Sequence, residues 1–365
     1  MSAERVPQSK EDDSPIERSR FSKLRKAIAG VATGLTMATV TGVTAATFYD
    51  GYWPSSTAEV RLHDEPEYRP DTYNSNRLTL FISGLDRQVA DDMADDAHII
   101  PDKYGRVGYL RYDKRQIDND DLRNAFQGAI EDVIADSYSP SSNRCELDKV
   151  ELNLITQSAG MKIILEALAD FLDSNPYVSL EMVLLDAAPY DLDSVKPDLA
   201  KDLIKLRILF SIGGPFTATA LRASSIALTY PDQSLGDAPV WKGAWNQYEE
   251  HGRLGMLRDE ADRIAIPPKD YDLKKIAKNN PDVHITFTGS LKDSQDASVN
   301  LTQASKAWAR SLEEVGIDLD KRRADTKGHA TMTKGRADEV YQRLLDYLFS
   351  TTYPSQSKST ITPEP

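Results

Sequence analysis

A chain of 365 residues, 40% hydrophobic and 28% charged, has the composition of an ordinary globular protein: one large domain, or one domain carrying an inserted lobe. Lys and Arg number 44 against 57 Asp and Glu, and the net charge of -13 argues against a nucleic-acid partner, since phosphate backbones are held by clustered cations. The single cysteine, Cys145, excludes an internal disulfide and leaves the redox compartment open.

Residues 1–26 form a polar N-terminus, disordered over its first twenty positions and expected to be cytoplasmic. It ends in the basic cluster Arg18, Arg20, Lys23, Arg25 and Lys26. Residues 27–49 (AIAGVATGLTMATVTGVTAATFY) then run without a charge for long enough to cross a bilayer as a helix. The cluster would hold the near end on the cytoplasmic side, with Tyr49, Tyr52 and Trp53 at the far interface, which predicts an anchored, extracytoplasmic body. Cleavage of a signal peptide near Val43-Thr44-Ala45 is the rival reading and predicts secretion. Gly30 and Gly34 make a small-xxx-small pair, which in so Ala/Gly-rich a run carries little weight. Residues 50–76, rich in Pro, Asp and Asn, read as a linker with an edge strand near Glu59 to Leu62.

From Arg77 onward strands and helices alternate. Leu78 to Ile82 is an apolar run ending at Ser83-Gly84, followed by a predicted helix over Gln88 to Ala97 and a second strand over Val107 to Tyr112. Leu122, Ala125, Phe126, Ala129 and Val133 then line one helical face. A third strand, Val150 to Thr156, leads through Gly160 into a helix faced by Met161, Ile164, Leu165, Leu168 and Leu172. Val183 to Leu185 and Val283 to Thr288 give the fourth and fifth strands, and a last helix, about Arg336 to Phe349, places Ala337, Val340, Tyr341, Leu344 and Leu348 on one side. Such alternation predicts an α/β fold: a mostly parallel central sheet with helices on both faces. About residues 190–281 the rhythm breaks, which suggests an inserted helical cap or lid whose Phe210, Phe216, Trp241 and Trp245 hint at an apolar group. Residues 351–365 read as a disordered tail.

The stretch Thr156-Gln157-Ser158-Ala159-Gly160 carries the chemistry. A serine on a tight strand-to-helix turn has its hydroxyl thrust out of the sheet, and small neighbours are needed because the backbone is strained and the helix starts at once. The helix N-terminus also directs N–H groups at a forming oxyanion. The alternative role for Ser158 is a plain helix cap. The motif resembles the nucleophile elbow of the α/β-hydrolases (serine esterase- or lipase-like), with Thr156 in place of the usual first glycine. The resemblance extends over residues 77–350.

It implies a Ser-His-Asp triad and an acyl-enzyme. A serine needs a base, and of the five histidines His63 precedes the body, His98 closes a helix, His251 falls in the lobe and His284 sits within a strand. His329, in Gly328-His329-Ala330 after the fifth strand, matches the family's histidine loop. For the acid, resemblance to the family's D-x-x-V segment favours Asp296 with Val299, proximity to the strand end favours Asp293, and Asp186 at the end of the fourth strand is a third choice. Leu85 and Ala159 would supply the oxyanion amides, with Gly84 permitting the approach.

No cofactor or metal is implied: Asp91, Asp92, Asp95 and Asp96 read as a solvated face, and there is no phosphate loop or Cys/His cluster. The expected function is hydrolysis of a small-molecule or lipid-like ester (carboxylic ester or thioester). The alternatives are a catalytically silent binding protein on the same scaffold and a peptidase or amidase using the same triad.

Overall fold

The computed structural model describes residues 58–62, 76–84, 105–111, 117–137, 149–201, 203–204, 254–323 and 338–354. Seven strands form one sheet in the order β1-β3-β2-β4-β5-β6-β7. They are β1 (Glu59–Leu62), β2 (Arg77–Ile82), β3 (Arg106–Arg111), β4 (Val150–Gln157), β5 (Val178–Asp186), β6 (His284–Thr288) and β7 (Leu319–Lys321). Among the described residues β1 is the one strand that runs antiparallel, on β3; the other strand pairings of the sheet are parallel. This is the mostly parallel central sheet that the alternation of strands and helices predicts.

The central strands read as continuous apolar runs because both their faces are covered. Side chains alternate across the sheet. Leu80, Ile82 and Leu154 join the larger core beneath α1 (Asn119–Ser137) and α2 (Gly160–Ser174), whereas Phe81, Ile155 and Leu184 pack with α6 (Asp338–Thr352) on the other face. The α6 contribution differs from the sequence expectation. Tyr341, Leu345, Leu348 and Phe349 are its buried stripe, and Leu344 packs only at the margin, since a helix of 3.6 residues per turn keeps i, i+4, i+7 and i+8 on one line. Each such large side chain contributes about 1.5–3 kcal/mol on full burial.

The strand expected over Val183 to Leu185 and the far edge of the sheet differ from expectation as well. β5 is nine residues long, and a bulge at Glu181 shifts its register against β4 between Leu152 and Asn153. β7 is a three-residue edge strand paired with β6 alone, too short to show any apolar period.

The stretch expected to form an inserted lobe is described at its two ends. At the far end α3 (Leu254–Ala265) and α4 (Asp270–Asn279) pack on α2, with Leu273 and Ile276 of α4 in the larger core. Arg263 of α3 donates to the carbonyls of Ile163 and Ile117 and, at 2.8 Å, to Asn119 Oδ1. α5 (Leu301–Glu313) follows β6 and buries Trp308. Residues 27–49 lie outside the described residues, as does the helix expected over Gln88 to Ala97; among the described residues no helix is long and apolar enough to cross a membrane.

Candidate active site

The carboxyl ends of β2, β4, β5 and β6 converge on Ser158. β4 ends at Gln157 and α2 begins at Gly160, so two residues turn the chain from strand to helix. Ser158 takes the strain, with φ of 52°, a left-handed conformation that costs a residue bearing a Cβ roughly 1–3 kcal/mol. The turn is held in place because Ser158 N–H donates to the Asp186 carbonyl at 2.8 Å, and the Ala187 N–H donates onward to the Thr288 carbonyl at 2.9 Å. Ala187 is the second non-glycine residue with positive φ, at 50°.

Two glycines let β2 press against this turn. A Cβ on Gly160 would lie 2.6 Å from the Ile82 carbonyl oxygen, and one on Gly84 would lie 2.6 Å from the Ala159 nitrogen and 3.2 Å from Ser158 Oγ. Any side chain at 84 would therefore crowd the Ala159 amide beside the serine hydroxyl. Ala159 itself is fully buried and precedes the first turn of α2. Thr156, where the family pattern has glycine, is accommodated inside the strand. Its side chain is fully buried and its hydroxyl donates to the Leu184 carbonyl of β5 at 2.7 Å, so the branched side chain is both packed and satisfied.

The three candidate acids have different surroundings. Asp296, 1% exposed, follows the single helical turn Asp293–Gln295 after β6, and its Oδ1 accepts the N–H groups of Ser298 at 2.7 Å and Val299 at 2.8 Å. Two amides on one oxygen fix the carboxylate plane. Asp293 is occupied elsewhere: its carboxylate accepts from Thr302 N–H in the first turn of α5 at 3.2 and 3.3 Å and faces the Arg323 guanidinium at 3.6 Å. Asp186 is fully buried at the end of β5, level with Gln157 and Thr288.

His284, at the start of β6, sits at the opposite end of that strand from the Asp296 loop. Its imidazole is kept below the usual histidine range by burial, against the attraction of Asp320. His63, His98, His251, His329 and Leu85 lie outside the described residues.

Sequence reasoning missed the segment that joins the serine turn to the acid loop. From Ala187 to Lys196 the chain forms a strap. Val195 bridges to Val299, Lys196 N–H donates to the Ser298 carbonyl, Asn300 N–H donates to the Ser194 carbonyl, and Lys196 Nζ donates to the Asp293 carbonyl, the last three at 2.8 Å. A reciprocal Asp191–Ser194 cap stiffens the strap, and Tyr190 sets its ring edge-on to Trp308 of α5 at 5.4 Å. Trp308 in turn donates its indole N–H to the Ala188 carbonyl. The available sequence signal was Asp191-Leu-Asp-Ser194, a capping pattern next to Tyr190.

Several solved structures resemble the chain. Carboxyl esterase 2 from the mycorrhizal fungus Tuber melanosporum is 13% identical, with 82% of this chain and 87% of that one aligned at a TM-score of 0.42. A hydrolase from Oleispira antarctica is 12% identical over 80% and 94%, at 0.44. A haloalkane dehalogenase from Bradyrhizobium elkani is 10% identical over 82% and 96%, at 0.45. No family model matches the sequence, and no curated protein matches it. The functional reading rests on the turn at Ser158 and the loops around it.

Proposed function

We propose that the protein is a serine hydrolase that cleaves an ester-like bond, in a small molecule or a lipid, through an acyl-enzyme on Ser158. His329 removes the Ser158 proton, Asp296 orients the imidazole and stabilises its charged form, and the alkoxide adds to the carbonyl carbon. The Ala159 and Leu85 amides hold the oxyanion. The imidazolium then protonates the leaving alcohol or thiol, and water, deprotonated by the same imidazole, releases the acid. Residues 27–49 hold the domain at the extracytoplasmic side of a membrane, or direct its secretion if cleaved.

The observation that carries this reading is the conformation of Ser158, at φ 52° between β4 and α2, with Gly84 pressed against the Ala159 nitrogen. A serine used only as a cap would sit in extended backbone and need neither strain nor a glycine opposite. A fluorophosphonate probe tests the proposal. The folded protein should be labelled and Ser158→Ala should not; equal labelling of both removes Ser158 as nucleophile, and no labelling of the folded wild type favours the silent binding protein. Release from amide but not ester substrates would instead select the peptidase. Membrane attachment is read by fractionation, with detergent needed for release.

A further inference from the structure

Lys162 stands in the first turn of α2, one turn beyond Ser158, in the otherwise apolar run Met161-Lys162-Ile163-Ile164-Leu165. It does not reach solvent: the residue is 6% exposed, and its ammonium donates to two main-chain carbonyls, that of Tyr190 at 2.9 Å and that of Ile266. Tyr190 opens the strap after β5 and Ile266 closes α3, so one side chain ties together two chain ends separated by seventy-five residues. The Tyr190 ring lies 5.9 Å from Nζ.

We propose that Lys162 is a positioning residue for acyl transfer: its amine fastens the Ala187–Lys196 strap to the helix that carries the nucleophile, and through the strap sets the Asp296 loop against Ser158. The inference rests on reading Ser158 as the nucleophile. The strap is already sewn to the acid loop through Val195, Lys196 and Ser194, and to α5 through Tyr190 and Ala188. Lys162 adds the tie on the nucleophile side.

Charged groups lie on each element packed against α2, and of these Asp191 acts on the amine. The strap brings Asp191, whose carboxylate is fixed by Ser194 N–H. α3 brings Asp259, Glu260 and Arg263, the last directed at the Ile163 carbonyl. α4 and the turn before it bring Lys269, bound to Glu166 at 2.9 Å, together with Asp272 and Lys275, the latter paired with Asp170. Burial pulls the Lys162 ammonium down to about 7, and Asp191 pulls partly the other way. The buried site thus favours the neutral amine, which keeps two N–H donors for its two carbonyls, and the tie tightens as the pH rises through this range.

The test compares Lys162→Met, similar in length and without donors, with wild type. The ratio of fluorophosphonate labelling rates, variant over wild type, should be about one tenth at pH 9, because leaving a buried carbonyl without its donor costs about a factor of ten. It should move toward unity by pH 6, where the wild-type tie is weakened by the cost of burying a charged amine; the ratio cancels the titration of the catalytic base. A merely structural lysine would give a ratio independent of pH. Hydrogen exchange of amides in 187–196 and 262–270 reads the tie without Ser158: the variant should lose protection there at pH 8, while β4 keeps its own. If wild type is not labelled but exchange behaves as stated, the nucleophile assignment fails and the tie stands. If Lys162→Met does not fold, the wild-type exchange profile decides, with protection of the two segments rising between pH 6 and 8 after correction for intrinsic rates. Unchanged exchange in the folded variant, or a flat wild-type profile, overturns the proposal.

Discussion

The two ends of β4 are built on opposite principles. At its amino end, Glu151 and Asn153 are polar residues in a buried strand, and each has a partner. Arg77 of β2 donates from Nε at 2.9 Å and from its terminal nitrogen at 2.7 Å to Glu151, and lies 3.6 Å over the Tyr353 ring; Tyr353 donates its hydroxyl to Asn153 Oδ1 at 3.1 Å. At the carboxyl end Ser158 and Ala187 hold left-handed backbone, Asp186 is fully buried, and the Thr288 hydroxyl is buried without a hydrogen-bond partner among the described residues. One end gains stability from its polar groups, and the other spends it to aim a hydroxyl. Between them, Leu152 to Thr156 pair with β2 on one side and, past the register shift at Leu152/Asn153, with β5 on the other.

The largest effects should come from the strained end and should leave stability intact. Ser158→Ala is expected to lower ester turnover by about 10⁴–10⁶-fold, the scale for losing a nucleophile, with a urea midpoint unchanged. Ser158→Gly should abolish labelling as fully while raising stability by about 1 kcal/mol, since glycine accepts φ of 52° at no steric cost. A midpoint that does not rise would mean the turn stores no strain. Gly84→Ala should lower turnover by about 10²–10³-fold with KM little changed, the scale of losing one oxyanion donor, because its Cβ would fall 2.6 Å from the Ala159 nitrogen.

The amino end should invert this pattern. Arg77→Met strands the Glu151 carboxylate and removes the cation from Tyr353, and should cost about 2–3 kcal/mol in denaturant unfolding. The labelling rate of Ser158 should not move. A parallel loss of labelling would show that the ends are coupled through β4 and would sink the contrast.

The parallel sheet was legible in the sequence because strands covered on both faces must be apolar throughout, and Leu78 to Ile82 or Val183 to Leu185 can hardly be read otherwise. β7 was not legible, since Leu319-Asp-Lys321 has no period and is a strand only because β6 offers an open edge. The serine turn was legible from its small neighbours, and Thr156 looked worse than it is because its bond to Leu184 is a tertiary fact. The resemblance favoured Asp296 and left Asp293 and Asp186 open; their surroundings were not legible, since Asp296 and Asp293 lie three residues apart, yet amides of its own turn fix the first while Thr302 and Arg323 occupy the second. Lys162 gave no sign in the sequence, because a lone lysine on an apolar helix ordinarily marks the solvent side.

Lys162 also makes the pH dependence of stability a measure of the contrast. Its folded value of about 7 lies below the ordinary 10.5, so between these pH values the unfolded chain binds a proton that the native protein does not. Stability contributed at this site therefore rises with pH across that window, by at most about 1.4 kcal/mol per pH unit. Wild type should gain on Lys162→Met from pH 7 to 10 by urea unfolding; a constant difference would mean that the amine is not held charged-to-neutral as its burial demands.

The smallest predicted effect is the most discriminating. Tyr353→Phe keeps the ring over Arg77 and its stacking on Phe349 at 6.0 Å, and removes only the hydroxyl. Asn153, fully buried, then loses the donor to its Oδ1 and retains a long 3.5 Å contact from its amide to Thr79. Leaving a buried acceptor unmatched should cost about 1–2 kcal/mol, seen as a lower urea midpoint with an unchanged slope. Asn153, the residue that Tyr353 bonds, lies five residues before Ser158 along the chain, so any elastic coupling along β4 should show first here. Unchanged labelling of Ser158 would confine the strain of the turn to the turn itself, held by Asp186 and Gly84; slower labelling would place part of that strain in the strand and make the amino-end network a component of the site.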